Sequence, residues 1–92
     1  MAVYVTLPDL DLSTTPAQFT DDATPCVEVA VKSLISNAAV VRVGDDDVAA
    51  DQGWPLSPGE SITLRTSDAS KIWLVAESGT PTVARLIAKG GT

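Results

Sequence analysis

Histidine is absent from this 92-residue sequence, and cysteine occurs once, at Cys26. The first absence removes the commonest general base and most zinc sites. The second leaves no intramolecular disulfide and no thiolate cage for a metal, and it makes Cys26 a small buried hydrophobe by expectation. Basic residues are scarce as well: six Lys and Arg face twelve Asp and Glu, for a formal charge of −6. Lys32, Arg42, Arg65, Lys71, Arg85 and Lys89 are spread one per segment, so no basic cluster serves a phosphate backbone or an anionic lipid surface. Nucleic acid and membrane are therefore not expected as partners. No apolar run approaches the roughly 20 residues of a membrane helix. The opening MAVYVTLPDL lacks the basic and then apolar pattern of a secretion signal, so synthesis and folding in a reducing cytoplasm are expected. Glycine-rich phosphate loops and a G-x-S-x-G elbow are missing too. Neither an enzyme nor a cofactor is expected.

What the chain does contain is β-branched and aliphatic. Hydrophobic residues make up 45%, nearly all Val, Ala, Leu and Ile, with Tyr4, Phe19, Trp54 and Trp73 the whole aromatic complement. Such side chains pack well on a pleated surface. Val27, Val29 and Val31 alternate with Glu28, Ala30 and Lys32, the period-2 pattern of a half-buried strand. Further strands are expected at Ala39–Val43, around Ile62 and Leu64, at Ile72–Ala76 and at Thr82–Ala88, with a very short one starting at Val48. Ser57-Pro58-Gly59-Glu60 has the residue order of a type II turn, because proline presets the second position and glycine accepts positive φ at the third. Both faces of Ile72–Ala76 are apolar, which makes that strand central and Trp73 a core residue. The reading is all-β: a small sandwich or jelly-roll-like barrel of about six antiparallel strands over residues 25–89. Residues 1–24, broken by Pro8, Pro16 and a scatter of aspartates, read as an extended N-terminal arm with one edge strand at Val3–Leu7. Residues 90–92 read as a flexible tail.

The order of segments carries a resemblance. Thr24–Leu34 (TPCVEVAVKSL) is followed by Asn37 and by Val41-Arg42-Val43-Gly44. Then come Gly53-Trp54-Pro55-Leu56, Pro58-Gly59-Glu60-Ser61, Lys71–Ala76 and Ser78-Gly79-Thr80. Over about three quarters of its length the chain resembles small β-sandwich virion proteins of tailed bacteriophages, of the capsid decoration (cement) or tail-associated type. The resemblance implies a structural role in the virion and does not choose between head and tail. The leading expectation is a decoration protein that binds and stabilises neighbouring capsid subunits, with the major capsid protein or another virion protein as partner. A homo-oligomer is also expected, since oligomerisation helps a domain this small. The alternative reading is a receptor- or carbohydrate-binding module on a tail or fibre, and a third is an adaptor at the head–tail joint. The family pattern consists of turns and core positions, so no catalytic residue is carried over.

Protein-interface candidates are Tyr4, Phe19, Trp54 and Pro55, since aromatic side chains anchor binding sites and Trp54-Pro55 reads as a loop. Asp45-Asp46-Asp47 is the one run with hard-cation chemistry. It reads as a solvated turn, on the argument that consecutive strand residues point to opposite faces.

Overall fold

The computed structural model describes residues 3–89, and the expected tail at 90–92 lies outside them. Within that range the chain forms eight strands: β1 Val3–Asp11, β2 Ala17–Gln18, β3 Glu28–Ser33, β4 Val41–Gly44, β5 Trp54–Leu56, β6 Ser61–Arg65, β7 Trp73–Ala76 and β8 Thr82–Lys89. They build two four-stranded antiparallel sheets, in the orders β1-β8-β3-β6 and β2-β7-β4-β5. The all-β sandwich expected from the valine alternation is what forms, with eight strands in place of about six. The additional ones are β2 and β5. With two and three residues they are too short for any period to register, and Pro55 lies inside β5.

Alternation places the core. In β3, Val29 and Val31 are buried with Ser33, while Lys32 is exposed. Val41 and Val43 of β4, Leu74 and Ala76 of β7, and Val83 and Ile87 of β8 complete the slab between the sheets. In β7 Leu74, Val75 and Ala76 are all fully buried, consistent with a strand flanked by β2 and β4. Trp73, expected in the core, is only half-buried, because the register sets it on the face of β7 turned away from the core residues Leu74 and Ala76, opposite Gln18 and the side-chain-free Gly44.

The largest departure from expectation concerns residues 3–24, which are part of the sandwich and not an arm outside it. β1 pairs with β8 along nearly its whole length, from Val3↔Lys89 to Asp11↔Thr82. One extra residue is accommodated between Leu7 and Leu10, and Pro8, which has no N–H to contribute, falls in this bulge. The chain then crosses to the other sheet. Leu12 N–H donates to Pro81 O at 2.8 Å, and Ser13 O accepts from Ala76 N–H at 2.8 Å. Phe19 N–H donates to Ile72 O at 2.7 Å. Leu12 and Phe19 are buried to 2% and 0% exposure, so the prolines and aspartates that broke the periodicity mark a change of sheet.

Candidate interaction surface

Ser57–Glu60 closes as the expected turn, with Glu60 N–H donating to Ser57 O at 2.9 Å and Gly59 at φ +89°. This tight turn joins β5, the edge of one sheet, directly to β6, the edge of the other. Its ends lie within about 7 Å of one another, so the two edges share one flank of the sandwich.

Trp54 and Pro55 sit on this flank, in an edge strand and not in a loop. Pro55 pairs with Arg42 and Trp54 with Val43. Trp54 shares the face that Leu56 turns to the core, yet it is 63% exposed because β5 begins there at the rim. Two features fix the backbone where β5 begins. Gly53 has φ +130°, and a Cβ there would stand 2.7 Å from Val48 Cγ2 and 3.1 Å from Val43 O, so only glycine lets the loop approach β4 this closely. Arg42 Nη1 donates to Gly53 O at 3.1 Å, while its Nε donates to Glu77 Oε2 at 2.7 Å.

Next to this tryptophan is the acidic loop. Asp45, Asp46, Asp47 and Asp51 are all exposed, and residues 45–56 contain no Lys or Arg. The strand argument for keeping the three aspartates apart does not apply, because this stretch is a turn. Asp45 O accepts from Val48 N–H at 3.0 Å and Asp45 Oδ1 from Asp47 N–H at 3.0 Å. One carboxylate oxygen of each residue falls within 4.8 Å of the others. Val48, expected to start a strand, instead fills the space under Gly44 and Gly53, and only Ala49↔Gln52 forms a bridge. Around the corner Trp73 lines a shallow depression with Gln18, Asp45, Asp46, Ser70 and Lys71.

The other two candidates lie elsewhere. Tyr4 is 63% exposed on β1, the opposite edge of its sheet from β6, so it does not join Trp54 and Pro55. Phe19 is fully buried and cannot be an interface residue. Its ring lies under the Arg85 guanidinium, 5.9 Å from centroid to Cζ, and its carbonyl accepts from Arg85 Nη1 at 2.6 Å. The sequence pattern missed two exposed aliphatics, Val27 at 49% and Ile35 at 84%. Val27 continues the inward alternation of Val29 and Val31 but lies just before β3 begins. Ile35 follows a strand end, where a break signal conceals its exposure.

Cys26 is half-buried and donates its S–H to Thr66 O at 3.2 Å. Burial first, and then the Asp68 carboxylate, push its pKa up, so the thiol keeps its proton and makes a poor nucleophile. No family model matches the chain, and no curated protein matches it.

Proposed function

We propose that this protein is a bacteriophage capsid decoration protein, which fastens neighbouring capsid subunits and acts in the virion as a homo-oligomer. The observation that carries the reading is Trp54: a large indole 63% exposed on an edge strand, which follows in sequence a loop of four exposed aspartates. An exposed aromatic on a chain of net charge −6 suits a partner that offers an apolar pocket edged by basic side chains. A rigid sandwich suits a seam between subunits because little conformational entropy is lost on docking. The order of turns, which resembles that of tailed-phage virion proteins, supports the same reading.

The test is a reconstitution. Particles of the encoding phage prepared without this protein should assemble, yet release DNA at a lower temperature than complete particles. Purified protein should restore them, and Trp54→Ala should bind more weakly by about 2 kcal/mol or more, as for an anchoring tryptophan. Particles that keep full thermal stability without the protein would overturn the proposal.

The depression around Trp73 favours a second reading, a carbohydrate-binding module on a tail or fibre. An indole beside an amide and two carboxylates is the chemistry that stacks on a sugar ring and accepts from its hydroxyls. Stable particles that fail to adsorb to cells, together with saccharide-dependent quenching of Trp73 fluorescence in Trp54→Phe protein, would establish it.

A further inference from the structure

A β-sandwich of two separate sheets has four edge strands, and each must be kept from pairing with another chain. Three edges here are blunted. β1 is bulged and contains Pro8, β2 has two residues and follows Pro16, and β5 has three residues with Pro55 at its centre. β6 has none of these devices. Its five residues, Ser61-Ile62-Thr63-Leu64-Arg65, pair in unbroken register with β3 and include neither proline nor a carboxylate. At its ends, Glu60 O accepts from Ser33 N–H at 2.9 Å, and Thr66 N–H donates to Val27 O at 3.3 Å. Antiparallel ladders bond every second residue, so Ile62 and Leu64 turn their backbone groups to β3. Ser61, Thr63 and Arg65 turn theirs outward, and β3 is the one strand that β6 pairs with among the described residues.

We propose that β6 pairs antiparallel with β6 of a second copy of this chain, about a two-fold axis through Thr63, joining two four-stranded sheets into one of eight. The sequence of the strand is self-complementary in that register. Thr63 meets Thr63, Ser61 meets Arg65, and Ile62 meets Leu64. The last contact occurs twice, and it continues the core across the seam from two side chains that the monomer leaves half-buried. Self-complementarity selects a second copy over an unrelated strand: the two-fold register sets an apolar pair on each side of the axis and places no like charges opposite one another. For a chain of net charge −6, an edge without carboxylates is also where two copies approach with least repulsion. Two of the exposed aliphatics flank this edge, Val27 beside Thr66 and Ile35 within 3.7 Å of a Cβ built at Gly59. The inference specifies a homo-oligomeric contact and does not rest on the capsid reading, whose anchor, Trp54, belongs to the other sheet.

Sedimentation equilibrium of the intact chain up to about 1 mM, the weak end of measurable affinities, should show a monomer–dimer equilibrium. Amide exchange read by NMR over the same range should slow at Ser61, Thr63 and Arg65 as concentration rises, while Ile62 and Leu64 stay protected throughout. Thr63→Lys sets two like charges against each other at the axis, and Thr63→Pro removes a central outward N–H without touching the bonds to β3. Each should give a monomer with an unchanged far-UV spectrum and at least a tenfold weaker dimer. Since Thr63→Lys changes only an exposed side chain, it keeps the test decisive if the proline variant fails to fold. A monomeric wild type at the highest concentration would overturn the inference. So would a dimer that survives Thr63→Lys, or concentration-dependent protection on any other strand.

Discussion

At the scale of single residues, Arg85 shows how a charged side chain comes to hold the two sheets together. It lies on the inward-facing side of β8, between Val83 and Ile87, where alternation calls for an apolar residue. Its guanidinium lies over the Phe19 ring and donates from Nε and Nη2 to Pro8 O at 3.2 and 2.7 Å, and from Nη1 to Phe19 O. Burial draws its pKa down from the usual arginine value, with Asp21 and Asp9 acting the other way. The bulge in β1 leaves the Pro8 carbonyl without a ladder partner, and the fork of Arg85 supplies one. Lysine is a point charge on a flexible stem and lacks the planar fork that reaches both carbonyls at once. Arg85→Lys should therefore lower unfolding stability by about 1.5–3 kcal/mol in urea titrations, the range for hydrogen bonds from charged groups. A loss under about 0.5 kcal/mol, typical of ordinary surface positions, would show that the fork contributes nothing. This role was not legible in sequence, where Arg85 is one of six scattered basic residues.

Among elements, the segment between β6 and β7 behaves as a clamp. Asp68 Oδ1 accepts from Thr24 N–H at 2.9 Å and from the Ser70 amide and hydroxyl at 2.9 and 2.8 Å, which caps the short 3-10 turn Ala69–Lys71 and ties the entry to β3 against it. Pro25 bridges Asp68, and Ala69 N–H donates to Thr24 O at 2.9 Å. The Thr24 amide first, then the Ser70 hydroxyl and amide, hold the Asp68 carboxyl below the usual aspartate range. A carboxyl whose folded pKa lies below its unfolded value stabilises the fold fully above the unfolded pKa, about 4, and that stabilisation is lost as pH falls through the folded value. Chemical-denaturation midpoints should therefore drop on acidification below about pH 4 more steeply for the wild type than for Asp68→Asn, which has no carboxylate to protonate. Identical acid slopes would exclude this role. From sequence, Ser67–Ser70 was readable as a loop, but its grip on Thr24 was not, because the partners are 44 residues apart.

For the molecule as a whole, the question is where the folded unit begins. A Cα radius of gyration of 12.4 Å matches the roughly 12 Å expected of a compact chain of this length, and the pairing of β1 with β8 puts the expected arm inside the described unit. Removing residues 1–24 would take away β1, β2 and the buried Leu12 and Phe19. Truncating one buried Phe or Leu to Ala typically costs about 2–5 kcal/mol, against a total stability of about 5–15 kcal/mol for a small domain. The 25–92 fragment should therefore be unfolded, with a collapsed NMR spectrum and no cooperative thermal transition. A dispersed spectrum from that fragment would restore the picture of a separate arm.

Local chemistry determined the class of this protein and its main turns. Alternating valines need one buried face, Ser57-Pro58-Gly59-Glu60 suits one turn geometry, and Asn37 marks a stop that the structure uses to hold Thr82 through both its amide groups. These are short-range constraints, and a single chain displays them. What only the tertiary structure decided is everything that depends on pairing across sheets. Phe19 moved from candidate contact to core, residues 3–24 became two strands, Trp54 became a rim residue of an edge strand, and Tyr4 was set on the far side from it. The physical reason is that burial and edge position are properties of a strand's neighbours. A residue on β1 finds its neighbours on β8, at the other end of the chain.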